Sequence, residues 1–132
     1  MKKELDEKLC ADYPELFKNR HANVRSTAMC WGFECNDGWY GIIDQLCKDI
    51  TKWCKEHAKI PVPEVMQVKE KFGGLRFYIS RGDDEIYRLI HAAEEQSLKT
   101  CEICGKPGKE RGGGWIRTLC DKHAEQLEVV DY

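Results

Sequence analysis

Four residues near the C-terminal end constrain this chain more than any others: Cys101, Cys104, Cys120 and His123. They form a C-x2-C pair and a C-x2-H pair separated by fifteen residues. Three thiolates and an imidazole make a closed tetrahedral donor set for Zn2+, with no position left for a substrate or a reactive water. The expected cofactor is therefore one structural zinc per chain. Gly105, directly after the second cysteine, lets the backbone turn tightly around the metal. Other uses of the same cysteines fit less well. A redox pair wants a helix to begin within C-x-x-C, whereas Gly105-Lys106-Pro107-Gly108 breaks one. A disulfide needs an oxidising compartment. An iron–sulfur centre stays open as an alternative, although one donor is a histidine. Unconnected buried cysteines stay open too, but leave the spacing of the second pair unexplained.

The compartment follows from composition. The chain has 132 residues, 42% hydrophobic and 33% charged, enough for one domain or one with a small appendage. No apolar run approaches the roughly 18 residues of a membrane span. Met1-Lys2-Lys3 resembles the start of a signal peptide, but Glu4, Asp6, Glu7 and Lys8 stand where an apolar stretch should follow. The expectation is a soluble, intracellular protein with reduced thiols. A net charge of −2 argues against a protein that coats nucleic acid broadly. Of the other cysteines, Cys47 and Cys54 share one helical face as small core residues, and Cys10 packs in an amphipathic helix. Cys30 and Cys35, and Cys54 with His57, have ligand-like spacing without a second half.

Periodicity supplies the elements. Lys2 to Asn19 reads as helix interrupted at Pro14. Ala28 to Gly38 has short strand content and a turn, with Asn36 or Asp37 as helix cap. Trp39 to His57 carries Trp39, Tyr40, Ile42, Ile43, Leu46, Cys47, Ile50, Trp53 and Cys54 at helical spacing, the centre of the expected core. Val65–Glu70 and Leu75–Ser80 read as a hairpin closed by Lys71-Phe72-Gly73-Gly74, and a helix capped by Asp83 or Asp84 runs to about Leu98. In the C-terminal segment a knuckle, a strand from Trp115 to Leu119 and a helix from Cys120 to Leu127 suggest a treble-clef finger. The fold class expected is α+β: amphipathic helices on a β-hairpin (1–98) with a zinc finger (99–132) packed onto it.

Charge is uneven along the chain. Residues 69–81 carry Lys69, Lys71, Arg76 and Arg81 against Glu70, and residues 99–123 carry six Lys or Arg against three acids. Aromatics interleave with these bases. Arg76, Tyr78, Arg111, Trp115 and Arg117 are the candidate binding residues, since guanidinium groups clamp phosphate or carboxylate and aromatic planes stack on bases. Glycines 112–114 offer backbone N–H groups to an anion. The alternative is that the arginines lie on solvated strand faces and Trp115 covers the metal. No catalytic set emerges. Ser26, Ser80 and Ser97 have no nucleophile context, and the histidines are dispersed. The finger's strand lacks the histidine that a treble-clef nuclease needs.

Three stretches carry a resemblance: Met29-Cys-Trp-Gly-Phe-Glu-Cys-Asn-Asp-Gly-Trp-Tyr40, Lys69-Glu-Lys-Phe-Gly-Gly-Leu-Arg-Phe-Tyr78, and Cys101-Glu-Ile-Cys-Gly-Lys-Pro-Gly108 with Gly114-Trp-Ile-Arg-Thr-Leu-Cys-Asp-Lys-His123. In these the chain resembles a family of small zinc-finger-containing proteins encoded by bacteriophages and prophages. The resemblance implies a cytoplasmic life in a bacterial host and, by analogy of context, an accessory role in binding and blocking a host component. The leading expectation is a non-enzymatic binding protein for an anionic partner, either an acidic patch of a host protein or a nucleotide-like ligand. A zinc-finger nucleic-acid-binding regulator is the alternative, and a divergent nuclease the least supported.

Overall fold

The apolar rhythm of the central segment produces α2 (Tyr40–Glu56), which buries Ile42, Ile43, Leu46, Cys47, Ile50 and Cys54. The computed structural model describes residues 1–25, 27–112 and 114–130. Ahead of α2 runs a 3-10 turn, Asp37–Trp39, that sinks Trp39 fully into the core. The expected Asn36 or Asp37 cap is not made: Asn36 gives no side-chain cap bond, and the Asp37 carboxylate accepts the backbone N–H of Lys2 instead. The first helix, α1 (Lys3–Asp12), stops well short of Asn19. Pro14 lacks an N–H and disfavours helix at Tyr13, so the chain continues in turns. Those turns still bury Tyr13, Leu16 and Phe17, and the Tyr13 hydroxyl donates to the Asp44 carboxylate on α2 at 2.7 Å.

The hairpin forms where expected, as β2 (Val65–Lys71) and β3 (Gly74–Ile79). A two-residue strand, β1 (Phe33–Glu34), adds in parallel to β2, giving the order β1-β2-β3. Strict alternation would send Val65 and Val68 to opposite faces. A bulge between Val65 and Gln67 resets the phase, and both enter the core. The turn between the strands is Phe72-Gly73, with φ of 53° and 83°. Left-handed geometry at both positions follows the twist of the strands, but it suits Asn or Gly, and a phenylalanine there is strained. Then α3 (Asp84–Ser97) begins at Asp83, whose carboxylate accepts the Ile86 N–H at 3.0 Å and the Trp53 indole N–H at 2.9 Å. It packs on α2 and closes the free edge of β3, where the Glu94 carboxylate and Ser97 hydroxyl accept the N–H groups of Phe77 and Leu75.

The C-terminal segment folds as β4 (Lys109–Arg111), β5 (Arg117–Leu119) and α4 (Asp121–Val130), with the two strands antiparallel. The second strand starts at Arg117 rather than Trp115. Together these elements make an α+β protein with four helices among the described residues. None of those helices is long and apolar enough to cross a membrane.

The segment is seated on the core at two places. The Gly38 N–H donates to the Glu102 carbonyl at 2.7 Å, and the buried Trp39 indole donates to the Thr100 carbonyl at 2.9 Å. At the hairpin tip the Thr118 hydroxyl donates to the Gly73 carbonyl at 2.6 Å. Contact at Gly38 is so close that a Cβ would lie 2.2 Å from the Cys101 carbonyl oxygen and 2.5 Å from the Glu102 backbone. Gly38→Ala is expected to destabilise by about 2–3 kcal/mol, because only backbone stands in the way. Gly41→Ala, in the first turn of α2 with open space around it, is expected to stabilise by about 0.5 kcal/mol. Denaturant titration of the two variants reads both signs.

Candidate metal centre

Cys101, Cys104, Cys120 and His123 come together, with all four ligand atoms within 4.8 Å of one another. The knuckle is built as Gly105 requires. Gly105 sits at φ 80°, its N–H donates to the Cys101 carbonyl, and the Cys101 N–H donates to the Lys106 carbonyl. The other two ligands come from the end of β5 and the first turn of α4, three residues apart on one face. Cys101 Sγ lies 3.6 Å from His123 Nδ1, and Cys104 Sγ lies 3.7 Å from Cys120 Sγ. Metal bonds of about 2.3 Å to sulfur and 2.0–2.1 Å to nitrogen at a tetrahedral angle require separations of about 3.6–3.8 Å. Cys120 Sγ to His123 Nδ1 is shorter, at 3.1 Å. The four residues can hold a metal ion, and their sulfurs stand much too far apart for a disulfide.

The three sulfurs shift in different directions: at Cys104 a backbone hydrogen bond from Lys106 lowers the pKa, but desolvation and the bonds to Cys101 and Cys120 raise it overall, while the other two are lowered. Burial works to raise the Cys101 pKa, but hydrogen bonds from the backbone of Cys120, Cys104 and Ile103 outweigh it and hold it below the ordinary value. A backbone hydrogen bond from His123 leads in lowering Cys120. Elsewhere burial pushes Cys10 up to about 11 and Cys35 up to about 12, so these remain neutral thiols. Cys47 and Cys54 lie in the core, where small apolar side chains were expected.

Glu102, between the first two ligands, is the functional residue that sequence reasoning missed. Its side chain is 4% exposed. One carboxylate oxygen accepts both the backbone N–H of Asn36 at 3.0 Å and its side-chain amide at 3.1 Å, and the other lies 3.8 Å from Arg117 Nη2. Desolvation raises its pKa despite the Asn36 bonds and the Arg117 charge, which both lower it. The available signal was an acid placed where one turn of knuckle has little room for solvated charge.

The five candidate binding residues do not form one surface. Arg76 and Tyr78 stand on the sheet face opposite the buried Leu75 and Phe77, beside Lys69 and Gln67 of β2. Arg111 is structural. Its Nη2 donates to Asp121 at 2.7 Å and its Nε to the Leu119 carbonyl, fastening the hairpin to α4. Arg117 is engaged with Glu102, and its guanidinium lies 5.4 Å from the ring of Trp115. Trp115 is 71% exposed, so it does not cover the metal. Gly112 lies against the Trp115 carbonyl in a tight turn, while Gly113 falls outside the described residues. No protein-family model matches the chain, and comparison with curated proteins and with solved structures finds no match.

Glu102→Ala leaves the Asn36 donors and the Arg117 charge without their acceptor, and is expected to cost about 3 kcal/mol. Glu102→Gln keeps an uncharged acceptor for Asn36, in line with the raised pKa, and is expected to cost about 1 kcal/mol. Equal losses for the two variants, measured by denaturant unfolding, would count against the anchoring role.

Proposed function

We propose that the chain is a non-enzymatic binding protein in which a structural zinc, held in a treble-clef finger, braces a hairpin whose outer face engages an anionic partner. The donor set and its clustering support zinc: three sulfurs and one imidazole within 4.8 Å of one another are a full set of four donors, which leaves no open coordination position. The order of knuckle, two short antiparallel strands and a helix carrying the last ligand supports a treble clef.

One observation carries the binding reading. Lys69 and Arg76 are direct cross-strand partners. Like charges opposite one another on a sheet are destabilising. Glu34 flanks Lys69 on its other side in the parallel ladder, and Arg76 Nη1 donates to the Leu75 carbonyl, but neither cation forms an ion pair among the described residues. One nearby carboxylate faces two cations, and an anion lying across both would offset the second. Tyr78, 43% exposed on the same face, adds an aromatic surface beside them. An acidic patch of a host protein is the partner this reading favours, with an accessory role of phage type in blocking or sequestering it. The overall negative charge of the chain, and Asp121 and Glu125 on α4, disfavour a nucleic-acid reader built on that helix.

Two outcomes test the proposal. Native mass spectrometry is expected to give one zinc per chain. Removal by a strong chelator is expected to unfold residues 99–130, since such sites contribute on the order of 10 kcal/mol. Unchanged thermal stability after proven loss of the metal would overturn the bracing role. Lys69→Glu with Arg76→Glu is expected to keep the fold and to lose the partners that the unaltered protein captures from bacterial lysate. Retention of all of them by a folded variant would overturn the assigned face.

A further inference from the structure

Where the C-terminal segment meets the sheet, the walls of a cleft of about 500 Å3 include Phe33, Cys35, Asn36, Glu102, Trp115 and Arg117. That volume falls within the range of small-ligand sites. We propose that this cleft takes an unpaired nucleobase, guanine best, held edge-on by Arg117 and Glu102 and stacked on Trp115. The site goes beyond the binding reading above, since it uses none of Lys69, Arg76 and Tyr78.

Two polar groups in the cleft are largely removed from water yet keep hydrogen-bonding capacity. The Glu102 side chain is 4% exposed and that of Arg117 16%. Glu102 Oε1 and Arg117 Nη2 stand 3.8 Å apart, too far for a hydrogen bond. Asn36 occupies only Oε2, so Oε1 accepts nothing among the described residues. Among those residues no fully buried side-chain oxygen or nitrogen lacks a partner, so Oε1 opens onto the cleft that Glu102 lines. The Arg117 guanidinium likewise reaches no hydrogen-bond acceptor among the described residues. A free acceptor therefore stands beside a fork of free donors, at a spacing that one planar edge can span.

The complement to this pair is an edge with two neighbouring acceptors followed by a donor. Guanine presents it as N7, O6 and N1–H, the first two matching an arginine fork and the third a carboxylate oxygen. Adenine and uracil set only one acceptor beside a donor, and cytosine matches the pattern on a smaller ring. The guanidinium lies 5.4 Å from the Trp115 ring, so a base paired edge-on with it extends toward the same indole. Trp115 is 71% exposed, which leaves most of its surface to stack on a base. The cleft walls carry carboxylates as well as cations, which suits a neutral ring better than a phosphate.

The test follows the Trp115 indole and the Asn36 side-chain amide of the full chain by NMR, during titration with the four ribonucleosides. Guanosine is expected to shift both saturably, cytidine more weakly, and adenosine and uridine least. Trp115→Ala, at an exposed position, is expected to weaken guanosine binding about tenfold, and Trp115→Phe to recover most of the loss. Arg117→Lys keeps a cation beside Glu102 but loses the fork, and is expected to weaken guanosine binding about tenfold as well. Guanosine monophosphate binding as tightly as a short oligonucleotide with one unpaired guanine identifies a free nucleotide as the ligand source; a tighter oligonucleotide identifies a single strand. A response to any other nucleoside as strong as that to guanosine, no saturable shift at Trp115, or unchanged guanosine affinity in a folded Trp115→Ala or Arg117→Lys variant would overturn the proposal.

Discussion

A carboxylate removed from water costs several kcal/mol unless donors and a counter-charge replace its hydration. The Glu102 carboxylate is so removed, and what replaces water comes from two distant parts of the chain. Asn36 supplies two N–H donors from 66 residues away, and Arg117 supplies the charge from within the finger. The finger cannot shift against the core without exposing that balance. Gly38 adds a steric condition, since its missing side chain admits the knuckle backbone, and the Trp39 indole fixes the angle of approach through the Thr100 carbonyl. The segment needs such support. Among the described residues its own buried cluster is Cys101, Leu119, Cys120 and Ala124, with Ile103 packed against it.

Features that repeat locally were legible in the sequence. The 3.6-residue rhythm gave α2 to within one residue at either end, the two-residue rhythm around Gly73-Gly74 gave the hairpin, and ligand spacing picked out all four members of the metal cluster. Features that depend on distant partners were not. Asn36 has the chemistry of a helix cap, and only the fold shows that its amide is spent on Glu102. Arg111 and Arg117 look like surface charge because their carboxylate partners are set by tertiary geometry rather than by interval along the chain. The bulge near Met66 broke the alternation silently, since a single extra residue leaves no compositional mark. The stop of α1 at Asp12 was signalled by Pro14, whose effect on the preceding residue outweighed the apolar pattern that continues to Phe17.

The strained hairpin tip ties these parts together. Phe72 holds a left-handed conformation while 68% exposed, so its ring repays little of the strain by burial. The tip keeps its shape because two polar contacts define it: the Glu70 carboxylate accepts the Gly73 N–H, and the Gly73 carbonyl accepts the Thr118 hydroxyl. The first belongs to the hairpin and the second to the finger. Glu70 also lines the space between the C-terminal segment and the sheet, beside Glu102 and Arg117.

That arrangement would link metal binding to docking thermodynamically. A metal held by the four ligands would order the knuckle that carries Glu102, and Glu102 with Thr118 holds the C-terminal segment against Asn36 and Gly73. Trp115 and Arg117 belong to the finger, whereas Glu34 and Glu70 belong to the sheet, so the cleft exists only in the docked arrangement. A ligand that binds this arrangement and not the undocked chain must tighten the metal, and the metal must tighten the ligand by the same factor. The outer sheet face is coupled less. Lys69, Arg76 and Tyr78 lie within one hairpin whose ladder does not include the finger, and only the tip contact at Gly73 reaches them. Loss of an ion bound there would therefore undock the C-terminal segment while loosening the outer sheet face at one end.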